Sequence, residues 1–417
     1  MPTTVVVGLQ WGDEGKRKII DLFAQRADVV IRCNGGNNAG GTIVNGHGEV
    51  ILHLIPAGIL NPAALCIIER GVTIHPPSLV EEMELLESRN VSLKQLKISP
   101  YAHLVMPWHI AEDRGQEIMA IRGTTLRGIG PCYQDKAGRR DALRVGDLWN
   151  KRRFFTFLES IWRKKARELA GNYGVTMEDF STIRIQYAEA RERLLPHIEQ
   201  DPQRLIRKAL EKNREILLEV AHGLLLDMDY GTYPYVTACN TTSAAACHIA
   251  GVSPREVTKI VGVAKAYLTR VGPGPFPTEL HSEQGSRLRE LGKEYGATTG
   301  RPRRCGWLHL PLLQYACRVN HVTEIALTKL DILGLLPAVR LGVGAKYRND
   351  DPFSLWRIDE MAPCYQEYEG WGSISECNFR DELPAEAIRY LNAIQENITR
   401  PINYISTGSE RKRIIVF

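Results

Sequence analysis

The sequence predicts an α/β fold: a large, mainly parallel central sheet flanked by helices, with a helical insertion and smaller subdomains. Two observations carry this. Short apolar runs, Thr4-Val5-Val6-Val7, Val29-Val30-Ile31 and Cys66-Ile67-Ile68, alternate with glycine-rich turns and helical texture, the pattern of buried parallel strands joined by helices. From about 150 to 220 the texture changes to stretches dense in Arg, Lys, Glu and Leu, which read as a helical excursion with solvated charged faces. No internal repeat or long linker interrupts the chain, so residues 1–417 are expected to form a single ligand-binding domain with that excursion.

Taken in order, Thr4 to Val7 read as the first strand and Ile19-Ile20-Asp21-Leu22-Phe23 as the helix after it. Lys151 to Glu168, Ser181 to Leu195 and Pro202 to Val220 read as helices, and strand-like texture is expected to resume after Leu224. Glu324 to Thr328 read as a strand that runs into a polar tip at Lys329-Leu330-Asp331. At 417 residues the chain can bury a large core. Its 24% charged and 44% hydrophobic residues exclude a disordered or fibrous protein. No apolar run approaches the roughly 20 residues of a membrane span. The net charge of +5 admits anionic metabolites without calling for nucleic acid. Nine scattered cysteines without a C-x-x-C pair, and no signal peptide, lead to an expected cytoplasmic location.

The chemistry concentrates in six segments. Gly8-Leu9-Gln10-Trp11-Gly12-Asp13-Glu14-Gly15-Lys16-Arg17-Lys18 joins the first strand to the first helix. Such a turn aims backbone N–H groups and a helix N-terminus at an anion. Lys16 adds a point charge for a phosphate, and Asp13 adds a carboxylate for a base or a metal. Taken alone, an Asp before a helix is most often an N-cap; the motif around Asp13 favours the base and metal ligand. The run is no Walker A loop, since Arg17 follows Lys16 where Ser or Thr is needed. Asn34-Gly35-Gly36-Asn37-Asn38-Ala39-Gly40-Gly41-Thr42 lets a ligand approach the backbone closely. Gly123-Thr124-Thr125-Leu126-Arg127-Gly128, followed by Lys136 to Arg140, suits a phosphate monoester. Asp229 to Thr237 forms a polar, turn-rich loop. Gly296-Ala297-Thr298-Thr299-Gly300-Arg301-Pro302-Arg303-Arg304 offers guanidinium forks for a dicarboxylate. Thr328-Lys329-Leu330-Asp331 matches a guanine-reading element, in which the Asp accepts from the guanine N1–H and 2-amino group.

Together these motifs, in this order from Val5 to about Arg411, resemble the adenylosuccinate synthetases; Trp-Gly-Asp-Glu-Gly-Lys is the most specific of them. The resemblance implies a GTP- and Mg²⁺-dependent ligase that joins L-aspartate to C6 of a 6-oxopurine nucleotide, by default IMP. It implies a 6-phosphoryl intermediate, and a homodimer in which an arginine crosses into the partner's site. Carried over residue by residue, it makes Asp13 the general base and a metal ligand, with the Gly40 carbonyl as a second ligand. Gly12, Gly15, Lys16 and Thr42 contact the GTP phosphates, and Lys329, Asp331, Ser406 and Gly408 hold the guanine. Asn38, Thr125, Thr237 and the crossing Arg139 contact the acceptor nucleotide, and Thr299, Arg301 and Arg303 grip the aspartate.

The chain departs from the family pattern around the reacting centre. Gly41 stands where the family has its general-acid histidine, and Asn37 where it has another histidine. Arg17 replaces a phosphate-loop glycine, Leu126 a glycine, and Tyr230 a histidine. Glu219-Val220-Ala221-His222-Gly223 stands for the usual Glu-Gly-Ala-Gln-Gly. Three readings follow: a working ligase in which His222 serves as the acid; a paralogue using a larger void at Gly41 to take dGMP, GMP or an antibiotic nucleotide precursor; or a non-catalytic GTP-binding or scaffold protein.

Overall fold

The computed structural model describes residues 3–119, 123–296, 300–346 and 353–417. Nine strands form the central sheet: β1 (Thr3–Gly8), β2 (Val29–Arg32), β3 (Leu65–Ile68), β4 (Leu96–Ile98), β5 (Ile216–Gly223), β6 (Val257–Lys265), β7 (Glu324–Thr328), β8 (Ile402–Ser406) and β9 (Ile414–Val416). Their order across the sheet is β9-β8-β7-β6-β1-β5-β2-β3-β4. Eight of them run parallel, and β9 closes one edge antiparallel to β8. Val5 and Val7 of β1 enter the core on one face of the sheet and Val6 the core on the other. This is why the strand reads as an unbroken apolar run: helices cover both faces, so neither phase of the alternation meets water.

Helix α1 (Lys16–Ala24) follows β1 and returns the chain to β2, leaving room for β5 between them. Ile19 and Ile20 are buried beneath it. In the 150–220 region helices span Lys151–Tyr173, Phe180–Leu194 and Pro202–Glu211. The third is shorter than its sequence texture implies. Asn213 adopts a left-handed φ of 53°, which ends the helical path, and Ile216 to Val220 become β5 at the centre of the sheet. The apolar run Ile216-Leu217-Leu218 fits helix and buried strand equally by periodicity; pairing with β1 and β2 on either side settles it as strand.

Smaller two-stranded sheets decorate this frame, among them the hairpin Gly41–Asn45 with Gly48–Leu52 and the pair Tyr267–Arg270 with Arg304–Trp307. Among the described residues no helix is long and apolar enough to cross a membrane. Parallel strands deliver their carboxyl ends to one edge. Gly8, Arg32, Gly223, Lys265, Thr328 and Ser406 all end strands there, at the crevice where open α/β sheets bind ligands.

Candidate active site

The loop between β1 and α1 is shaped by three left-handed residues, Gly12, Asp13 and Gly15. Gly15 caps α1 without a side chain to bond the helix's first N–H groups; the Lys18 N–H turns back to the Gly15 carbonyl at 3.2 Å, and those of Lys16 and Arg17 are left for an anion. Asp13 is therefore not an N-cap. Glu14, fully buried, organises the loop: its Oε1 accepts the Gln10 and Gly12 backbone N–H groups, each at 3.0 Å, and its Oε2 pairs with the Lys16 ammonium. Thr328 Oγ1 at the end of β7 donates to the Glu14 carbonyl at 2.6 Å, locking loop to sheet.

Asp13 faces Arg303: its Oδ2 lies 2.9 Å from Nε, an ion pair at an angle that makes no hydrogen bond. The Arg303 Nη1 also pairs with Glu294 Oε2 at 2.6 Å. Glu294 in turn accepts from Lys265 Nζ at 3.2 Å and from Tyr267 Oη at 2.6 Å. Burial alone would push the Glu294 carboxyl up, but Lys265, Arg303 and Lys329 together hold it down to about 2. Arg301 joins this edge to the Gly123–Gly128 turn, its Nη1 donating to the Thr124 carbonyl at 3.1 Å next to Thr125. The helix Ile129–Gly138 begins at Gly128, also left-handed and without a side-chain cap. Thr299 lies outside the described residues.

At the other end of the crevice Lys329 sits in a left-handed conformation after β7, its Nζ on the Gly292 carbonyl at 2.8 Å. Asp331 follows, largely buried, and burial pushes its carboxyl up against the pull of Lys329 and Lys18. Lys18 Nζ donates to Ser406 Oγ at 2.7 Å, to the Gly408 carbonyl at 2.8 Å and to the Arg413 carbonyl at 2.6 Å. Arg411 reaches back to Asp21 of α1 with Nη2 on Oδ1 at 2.8 Å and Nε on Oδ2 at 2.5 Å. The proposed phosphate end and base end are thus tied through α1.

Loop 227–237 is fixed by Asp227, whose Oδ1 accepts the Asp229 and Tyr230 N–H groups at 2.9 and 3.0 Å. Trp11 Nε1 donates to Thr232 Oγ1 at 3.1 Å, joining that loop, and Thr237 at its end, to the phosphate loop. Thr42 is exposed on its hairpin, and Arg139 is exposed at the end of helix Ile129–Gly138.

His222 has a left-handed φ of 63° at the end of β5, and its Nε2 is buried without a partner. Burial, then the charges of Arg32 and Lys16, push its pKa down to about 3. The imidazole is neutral at pH 7, so it offers hydrogen bonds rather than the proton of an imidazolium. The expected void at Gly41 is absent for a plain steric reason. A Cβ there would fall 2.3 Å from Cγ of Arg17, whose stem occupies the space.

Several polar atoms around the crevice are buried and unpartnered: Asn37 Oδ1, Asn38 Oδ1, Arg32 Nε, His222 Nε2 and Thr407 Oγ1. Such groups cost free energy unless a ligand satisfies them. Among the described residues no three His, Cys, Asp or Glu side chains group to cage a metal. A carboxylate and a carbonyl, as Asp13 and Gly40 supply, nevertheless suit Mg²⁺, which is commonly held by one or two carboxylates plus substrate phosphates.

Sequence reading missed Glu14, Lys18, Arg32, Lys265 and Glu294. Glu14 and Lys18 flank Lys16 in the signature run and could have been found there. Lys265 and Glu294 lie in unremarkable sequence, and only the fold brings them together.

The sequence profile of the family described as adenylosuccinate synthetase matches residues 5–415. An adenylosuccinate synthetase of Moorella thermoacetica is 46% identical over 424 residues, covering 100% of this chain and 99% of that protein. The structure of the fully ligated adenylosuccinate synthetase from Plasmodium falciparum superimposes with a TM-score of 0.91 at 39% identity, covering 99% of each chain. The succinoaminodeoxyadenylate synthetase of cyanophage S-2L, bound to dGMP and dATP, shares the fold with a TM-score of 0.62 at 20% identity, covering 100% of this chain and 95% of that one.

Proposed function

This chain belongs to the adenylosuccinate synthetase family of ligases, and from that premise we propose that it joins L-aspartate to C6 of IMP with GTP as phosphoryl donor, giving adenylosuccinate, GDP and phosphate. Asp13 takes the N1 proton of the purine, so that O6 becomes a nucleophile. O6 attacks the γ-phosphorus, and the bond to the β–γ bridging oxygen breaks to release GDP. The aspartate amine then attacks C6, and phosphate leaves with O6. Lys16 stands at the moving phosphoryl group, where positive charge counts most in the transition state. Asp13 and the Gly40 carbonyl would hold Mg²⁺, which when bound supplies charge to the phosphate oxygens.

The observation that carries this reading is the 2.9 Å pair of Asp13 and Arg303. It puts the carboxylate read as the base beside a guanidinium suited to the incoming dicarboxylate, at the mouth of an uncapped helix. Gly12, Gly15 and Thr42 complete the phosphate contacts. Lys329, Asp331, Ser406 and Gly408 form the guanine pocket. Asn38, Thr125, Thr237 and His222 line the acceptor, His222 as a hydrogen-bonding group, and Arg301 and Arg303 hold the amino acid, with Thr299 assigned to it by the family pattern alone. Exposed Arg139 completes the site of a second subunit in a homodimer. All nine cysteines are free thiols, which supports a cytoplasmic setting.

The stem of Arg17 removes the extra space that a bulkier acceptor would need, which favours IMP. The test is mass spectrometry of products formed from GTP, Mg²⁺ and aspartate with IMP, GMP, dGMP or dIMP in parallel. A succinyl adduct with IMP is expected; an adduct only with another nucleotide would overturn the assignment.

A further inference from the structure

The contact between positions 17 and 41 has consequences beyond filling space. Arg17 is buried in the first turn of α1, directly after the phosphate loop. Its stem lies against Gly41, with Cγ, Cβ and Cδ at 2.3, 3.3 and 3.4 Å from where a residue-41 Cβ would stand. Its guanidinium continues past the hairpin. Nη1 meets Glu219 Oε1 at 2.6 Å and donates to the Ile55 carbonyl at 3.1 Å, while Nη2 donates to the His53 carbonyl at 3.3 Å.

These partners belong to both ends of one hairpin. Gly41 pairs with Leu52, and His53 and Ile55 lie in the segment that leaves the hairpin after Leu52. The side chain therefore runs under the start of the hairpin, holds its exit by two carbonyls, and anchors both to β5 through Glu219. Glu219 is fully buried; it pairs with Arg32 as well, and its Oε2 accepts the Ala57 N–H at 3.0 Å. Glu82 closes the other side of the exit, accepting the His53, Leu54 and Ile55 N–H groups at 2.9, 2.9 and 3.1 Å. The segment is held by carboxylates on one side and a guanidinium on the other. Only a residue without a side chain at position 41 lets the guanidinium through.

We propose that Arg17 and Gly41 form one linked positioning device, in which the Arg17 side chain sets the place of the Gly40-Gly41-Thr42 strand over the phosphate loop and position 41 is restricted to glycine by it. The proposal rests on the reading of that strand as part of the GTP–Mg²⁺ site. Arg17 acts through this strand and is not assigned a contact with the reacting atoms. A methyl group at position 41 pushes either the strand or the arginine out of place, and both displacements reach the same ligand.

The test is a cycle of Gly41→Ala in three backgrounds: native, Arg17→Ala, which removes the clashing Cγ, and Arg17→Met, which keeps the stem and loses the guanidinium. Two readouts are taken, steady-state kinetics and calorimetric binding of GTP with Mg²⁺; thermal midpoints check folding. Gly41→Ala in the native background is expected to weaken GTP–Mg²⁺ binding and raise its KM about tenfold, the scale of a methyl forced into a packed site, with the KM for aspartate unchanged. In Arg17→Ala the same substitution changes either readout less than about twofold, and in Arg17→Met the full penalty returns. Arg17→Lys, which keeps stem and charge, recovers part of what Arg17→Met loses. An equal cost of Gly41→Ala in all three backgrounds, or no cost in the native one, overturns the linked pair. Absence of ligase activity in the native protein, with the binding cycle still coupled, would instead fault the proposed reaction.

Discussion

Arg303 Nε lies 2.9 Å from Asp13 Oδ2, so the guanidinium is a counter-ion of the carboxylate read as the base. Glu294 holds the other side of the same guanidinium at 2.6 Å. On the proposed reading, a dicarboxylate that takes Arg303 competes with Asp13 for it and leaves Asp13 free to accept a proton.

Arg303→Lys keeps the charge but loses the planar fork that grips a carboxylate by two bonds. The KM for aspartate is expected to rise about 10- to 100-fold, the worth of a charge-assisted hydrogen bond, with the KM for GTP nearly unchanged. Equal changes in both would show that the residue supports the fold rather than the amino acid.

Glu294→Gln leaves Lys265 buried without its counter-ion and Arg303 with Asp13 alone, which costs about 3–5 kcal/mol when a buried pair loses one member. The urea midpoint should fall accordingly. The sign of the pH effect follows from a carboxyl held down to about 2: the stability it contributes is complete above the ordinary carboxylate range and is lost as pH falls toward 2. The gap between native and variant midpoints should therefore be the same at pH 6 and pH 8. A variant as stable as the native protein would contradict the buried network.

The fold and the main motifs were legible because they are local. The run from Gly8 to Lys18 declares strand, loop and helix within a few residues, and Thr328 to Asp331 declares the end of a strand. What sequence could not show is long-range. Lys265 meets Glu294 across the fold, and Arg17 excludes a side chain at Gly41; neither spacing nor periodicity encodes such contacts. The stretch from Ile216 to Val220 failed for another reason, since its apolar run is compatible with two secondary structures until its sheet neighbours exist.

Burial lowers the pKa of Lys18 to about 8, with Asp331 and Glu410 opposing. Its ammonium holds Ser406 Oγ and two carbonyls of the base loop. The charged form persists below pH 8 and is lost as pH rises through it, removing one of three donors. The KM for GTP should climb above pH 8 in the native protein. In Lys18→Met it should start high and stay flat with pH, and discrimination between GTP and ATP should shrink. A native KM independent of pH from 7 to 9 would sever the link between Lys18 and the base loop.

With a pKa near 3, His222 does not titrate between pH 5 and 9. His222→Gln, which retains a hydrogen-bonding tip, should leave the shape of the kcat–pH profile intact while altering the KM for the nucleotide acceptor. Loss of a limb near neutral pH in that variant would restore His222 as the proton donor.

The most direct test of the whole account is the fate of the purine 6-oxygen. IMP carrying a heavy oxygen isotope at O6 is incubated with GTP, Mg²⁺ and aspartate, and the released phosphate and the nucleotide product are weighed by mass spectrometry. Transfer of the phosphoryl group to O6 followed by displacement predicts adenylosuccinate without the label and one labelled oxygen in each phosphate. Unlabelled phosphate, or phosphate released without a succinyl product, would contradict it.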